Sequence, residues 1–126
     1  MWHLKHNNYK TDRLLEEESL FTVANGYIGV RGCFEEGYGS ENIASIRGSY
    51  INGLYDRVPL YYAESAYGFP QEADKQPRII DTQTCKIYLD GEQANLSTHK
   101  FSDYSRCLDY KNGVYTRSYS YRTETG

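Results

Sequence analysis

Apolar and polar positions alternate with a period of two through several stretches of this chain, and helical periodicity is almost absent. After an Asn25-Gly26 turn pair, Ile28, Val30 and Phe34 alternate with Tyr27, Arg31 and Cys33. That spacing puts apolar side chains on one side of a strand, and Asn-Gly is a tight-turn pair. Residues 43–55 read as another strand pair, interrupted at Gly48 and at Asn52-Gly53. Cys85, Ile87 and Leu89 alternate with Lys86 and Tyr88 before Asp90-Gly91, a hairpin-turn signal, and a short polar arm returns over residues 92–97. Residues 56–78 carry Pro59, Pro70 and Pro77 with little periodicity, so they read as one long loop. The helical signal is a short turn over residues 13–18. Asp12 stands where it would cap that turn, and its acidic residues suit a helix N-terminus.

The clearest hairpin spans residues 104–122. Asn112-Gly113 prefers a two-residue type I′ turn. That register opposes Tyr110 to Tyr115, Leu108 to Arg117, Arg106 to Tyr119 and Tyr104 to Tyr121, all on one face. Ser105, Cys107, Asp109, Thr116, Ser118 and Ser120 fall on the other. The aromatic face is the one with reason to be covered, so Tyr104, Arg106, Tyr115, Arg117, Tyr119 and Tyr121 form a candidate interface. Its arginines are expected to stack across tyrosines with their heads hydrated. Residues 123–126 are another turn composition with no return strand, and an open edge is expected to be closed by further chain or by a second copy. The pattern predicts an all-β fold. Residues 1–126 would be a single domain, an antiparallel β-sandwich segment of a larger sandwich, with a short N-terminal helical turn.

Composition adds one unusual feature. There are 14 tyrosines against four phenylalanines and one tryptophan among 126 residues, which suits either a half-exposed sheet or a surface that stacks on sugars. Tyr61, Tyr62 and Tyr67 lie in the long loop, where binding residues concentrate; Tyr61 and Tyr62 are the candidate sugar contacts, weighed against ordinary loop packing. The net charge of −3, with both signs intermixed, gives no clustered positive field for nucleic acid. No apolar run reaches membrane-spanning length, and the N-terminus lacks the apolar core of a secretory signal. Cys33, Cys85 and Cys107 are odd in number and widely spaced, unlike a disulfide framework or a zinc site. Reduced thiols and a cytoplasmic location follow as expectations, with no membrane partner, and Asn95-Leu96-Ser97 then reads as a chance match to a glycosylation acceptor.

The glycines do not carry chemistry. Gly26, Gly29 and Gly32 are evenly spaced by three, without the dinucleotide pattern, a following helix, or a Gly-Lys-Ser/Thr end. A nucleotide-binding enzyme is therefore a distant reading. Gly26 fits a turn needing positive φ, and Gly29 and Gly32 fit close approach by a neighbouring backbone or large ring. Glu35 and Glu36 are adjacent, whereas paired glycosidase carboxylates face each other across a bond; a solvated turn is expected. His3, His6 and the distant His99 lack partners for a metal site. No catalytic, cofactor-binding or metal residue is assigned.

The run from Glu18 to Gly37, containing Asn25-Gly26-Tyr27-Ile28-Gly29-Val30-Arg31-Gly32, resembles the opening signature of glycoside hydrolase family 65. Residues 48–56, 87–92 and 108–117 resemble later blocks of that family in its order, and Trp2 lies near the start as expected. The resemblance implies a β-sandwich placed before a barrel of paired α-helices that holds the general acid and the phosphate site. It implies a parent enzyme acting on an α-glucosidic disaccharide such as maltose, trehalose, kojibiose or nigerose, by inverting phosphorolysis or hydrolysis, with no cofactor. The family's catalytic motifs do not map onto these residues. The expected role is a non-catalytic segment that packs on the barrel and aids assembly, with a homodimer as one way to close its edge. The alternative is a free-standing carbohydrate-binding sandwich.

Overall fold

The computed structural model describes residues 2–38, 44–98 and 100–125. Every strand pairing among them is antiparallel, so the all-β reading holds. The strands are β1 (His3–His6), β2 (Val23–Ala24), β3 (Ile28–Val30), β4 (Ser49–Ile51), β5 (Asp56–Pro59), β6 (Glu72–Lys75), β7 (Ile87–Leu89), β8 (Glu92–Ala94), β9 (Phe101–Asp109) and β10 (Val114–Tyr121). They form sheets β1–β9–β10 and β2–β3–β4 and two hairpins, β5–β6 and β7–β8. One α-helix, α1 (Leu14–Leu20), follows a 3-10 turn at Thr11–Arg13. Asp12 lies inside that turn rather than capping α1, and no side chain caps either N-terminus.

Helix α1 is held by what it buries. Leu14, Glu17, Glu18 and Phe21 fall at helical spacing and all are buried. Leu14, Glu17 and Phe21 face the β1–β9–β10 sheet, where Leu14 joins Phe34, Tyr38, Leu96 and Tyr104 in the hydrophobic core, while Glu18 points to Tyr38 and residues 45–46. Tyr9, Phe101 and Tyr119 pack around that cluster.

Two turn readings part company. Asp90 and Gly91 both take positive φ, 51° and 81°, and close β7–β8 as the two-residue hairpin the Asp-Gly pair predicts. Asn112-Gly113 does not make one. β9 and β10 are joined by four residues, 110–113, and Tyr115 sits opposite Leu108 rather than Tyr110. The cause is Asp109, whose carboxylate accepts hydrogen bonds from the Lys111 and Asn112 amides at 2.9 and 3.3 Å and from Asn112 Nδ2 at 2.6 Å. That side-chain turn outcompetes the tighter one. The slip is by two residues as far as Ser118, so those side chains keep their faces; an irregularity between Ser118 and Ser120 then shifts the register once more, and Tyr121 lies opposite Phe101 rather than Tyr104. Tyr110 leaves its face and stands exposed in the turn.

Residues 56–78 are not a loop throughout. β5 and β6 pair over four residues, with Pro59 opposite Glu72 at the end of the ladder, where a missing N–H is tolerated. The strand expected over residues 27–34 stops at Val30. Gly32 explains the close packing beyond it: a Cβ there would lie 2.5 Å from Phe21 Cβ and 2.8 Å from the Phe21 carbonyl oxygen. Its amide instead donates to the Glu18 carbonyl at 2.9 Å, tying this segment to α1.

Candidate functional site

The residues singled out on the β9–β10 face are covered by the chain itself. Tyr104, Arg106 and Leu108 are buried, and the Arg117 side chain is nine-tenths buried. Arg106 stacks on Phe21, with 4.5 Å from Cζ to the ring centre, and is ion-paired with Glu17 of α1. Arg117 stacks 4.4 Å over Phe34 and 5.4 Å over Tyr119. The arginines therefore lie mainly on phenylalanines, with buried rather than hydrated heads. Tyr115 packs its ring against Phe21, and the Tyr121 hydroxyl donates to the Gln93 carbonyl at 3.4 Å.

Glu35 and Glu36 do form a turn, but only Glu35 is partly exposed and Glu36 is buried. Arg117 grips both, with Nη1 donating to Glu36 Oε1 at 2.7 Å, Nη2 to Glu35 Oε2 at 2.6 Å, and a further bond from Nη2 to Glu36 Oε2. The pairing lies across more than eighty residues of chain, so adjacency in sequence carried no trace of it. Glu36 is buried, and a buried carboxylate held by a guanidinium is a charge pair of the core.

Glu18 forms a second buried centre. Tyr38 and Ser45 hydroxyls donate to Oε1 at 2.5 Å each, the Ile46 amide donates to Oε2 at 3.0 Å, and Arg31 Nη2 lies 3.6 Å from Oε2. Burial pushes this carboxyl up, but the hydrogen bonds from Ser45, Tyr38 and Ile46 outweigh it and hold it below the usual carboxylate value. Burial, followed by the neighbouring Glu18 charge, pushes the Cys33 thiol up to about 11, so it stays protonated and unreactive. Burial and then the Arg106 charge keep His6 below its ordinary value. Its neutral ring therefore sits 3.1 Å from Glu17, whose charge Arg106 already answers.

This arrangement suits structure better than acid–base work. A general acid must keep its proton near neutral pH, and Glu18 is shifted the other way. Glu17 and Glu36 are locked to arginines away from solvent. Among the described residues no group of three or more His, Cys, Asp and Glu gathers to hold a metal. Among the described residues no helix is long and apolar enough to cross a membrane. His3 is exposed, and His99 lies outside the described residues. Asn95 is buried, with its Oδ1 accepting from the Ser97 amide at 3.0 Å.

Tyr61 and Tyr62 are carried at the end of the β5–β6 hairpin. Tyr61 is 90% exposed, whereas Tyr62 packs 4.9 Å from Phe69 between ring centres and donates to the Pro70 carbonyl at 3.1 Å. The two rings thus have different surroundings. Glu17, Glu18 and Arg31 escaped the sequence reading, although a signal was there: Leu14, Glu17, Glu18 and Phe21 at i, i+3, i+4 and i+7 put two carboxylates on an apolar helix face.

Residues 4–126 match the sequence profile of the glycosyl hydrolase family 65 N-terminal domain. The chain is 37% identical over 125 residues to an alpha,alpha-trehalose phosphorylase of Thermoanaerobacter brockii, covering 99% of this chain and 16% of that protein. It is 31% identical over 125 residues to a kojibiose phosphorylase of Halothermothrix orenii, covering 99% of this chain and 14% of that one. In structure it is similar to a human-microbiome protein assigned as a kojibiose phosphorylase, with a TM-score of 0.77 and 29% identity, over 98% of this chain and 16% of the other. The chain thus spans about one sixth of the length of the relatives it matches.

Proposed function

The chain belongs to the glycosyl hydrolase family 65 N-terminal domain, and from that premise we propose that it is the non-catalytic front segment of a disaccharide phosphorylase. It packs on a catalytic barrel and aids assembly of the enzyme. The parent cleaves an α-glucosidic disaccharide with phosphate as the attacking group, in the place water takes in an inverting hydrolase. The observation that carries this reading is the match over residues 4–126, joined to three buried carboxylates all held in ion pairs or hydrogen bonds. A segment of this kind supplies shape and contact area, while the reacting groups stand elsewhere in the polypeptide.

The test is paired. The intact mass of the native polypeptide is measured from its source cells. Phosphate-dependent release of glucose 1-phosphate from trehalose, kojibiose and maltose is then assayed with that polypeptide and with residues 1–126 alone. The expected result is a mass several times that of these residues, turnover by the native polypeptide and none by the segment. Turnover by the segment, or a native polypeptide no longer than these residues, would sink the reading. A second reading, a sugar-binding module, draws on the exposed Tyr61 ring. Saturable disaccharide binding lost on changing Tyr61 and Tyr62 to Ala would favour it.

A further inference from the structure

Strands β5 and β6 pair only with each other among the described strands, so they form an arm. Its tip is folded. The Leu60 amide donates to the Gln71 carbonyl at 2.9 Å, the Phe69 amide to the Ala66 carbonyl at 3.1 Å, and Tyr62 is locked to Phe69 and Pro70 as described above. Yet Tyr61 is 90% exposed, Tyr67 wholly so and Phe69 44%. Residues 60–70 carry one charged side chain, Glu64, whereas the strands at the base carry Asp56, Arg57, Glu72, Asp74 and Lys75. An aromatic centre on an ordered tip with charges set back from it has the composition of a protein interface. Tyrosine is also enriched among the anchors of such interfaces.

The occupant follows from length and linkage. The matched relatives extend over about six times the length of this chain, so most of such a polypeptide lies outside these residues. A surface on the same polypeptide meets the tip at an effective concentration of about millimolar order, without a bimolecular step. We propose that the arm tip, through Tyr61, Tyr67 and Phe69, is the docking surface for the remainder of the parent polypeptide. The surface it meets is apolar, with acceptors placed for the two phenolic hydroxyls. This inference rests on the reading that the chain is the front segment of a longer enzyme.

Hydroxyl-radical footprinting of the native full-length polypeptide tests it, with the same polypeptide unfolded in urea as reference. Tyr61 and Tyr67 are expected to be modified roughly tenfold more slowly when folded, as for rings in a water-excluding interface. That protection should be unchanged by dilution or by added disaccharide. Protection that disappears on dilution would mean a second copy covers the tip. Protection that appears only with disaccharide would mean a sugar platform. Either result overturns the proposal, as does modification at the unfolded rate. A long native polypeptide with a reactive tip overturns this inference alone; a native polypeptide confined to these residues overturns it together with the parent-enzyme reading.

Discussion

Arg106 sits at the centre of the residue-scale energetics. Its guanidinium is buried, stacked on Phe21 and paired with Glu17, and burial disfavours its charged form. Removing one member of such a pair strands the other charge without water. Arg106→Ala is therefore expected to lower stability by about 3–5 kcal/mol, whereas Arg106→Met combined with Glu17→Leu should lose far less, because both charges leave together. Urea unfolding of the two variants checks this; equal losses would contradict it. Glu18 sets a pH dependence. Its folded pKa lies below the ordinary value of 4.5, so on acidification the unfolded chain takes up the proton first. The stabilisation is fully present above that ordinary range and is lost as pH falls through the depressed folded value. Stability followed from neutral to acid pH should show a decline below about 4.5, with Glu18→Gln less stable at neutral pH and flatter in the acid window. Parallel profiles for the two proteins would rule this out.

At the scale of elements, turns and close approaches decide where strands stop and how they register. The Asp109 carboxylate gathers two backbone amides and the Asn112 side chain, and so sets the four-residue turn between β9 and β10. Asp109→Ala should lower stability slightly and speed hydrogen exchange at the Lys111 and Asn112 amides. Unchanged exchange there would show that the turn holds without the carboxylate. The alternation of residues 104–122 was legible because the face of a strand depends only on parity, and the two-residue slip preserved it as far as Ser118. The register itself was not legible. It came from competition between two local turns, and composition does not say which one wins. The β5–β6 pairing was hidden for a different reason: its ladder is backbone-made, and its side chains are mostly exposed, so no apolar alternation marks it.

At the scale of the whole molecule, the core lies between the β1–β9–β10 sheet, α1 and the 33–38 segment, and charge is part of its packing. Arg106 and Arg117 place guanidinium planes on Phe21 and Phe34 while their hydrogen bonds go to Glu17, Glu35 and Glu36. These contacts join residues remote in the chain, from α1 at one end to β10 at the other. The sequence by itself determined the antiparallel all-β class, the Asp90-Gly91 hairpin, which residues share the β9–β10 face, and the family, because periodicity, turn chemistry and motif order are properties of neighbours along the chain. Only the tertiary structure decided that Glu36 is buried in the grip of Arg117 with the half-exposed Glu35 beside it, that Glu17 and Glu18 lie inside, and that residues 56–78 make an arm. Burial and ion pairing depend on which distant segments meet, and a carboxylate beside a carboxylate in sequence reads the same whether water or an arginine answers its charge.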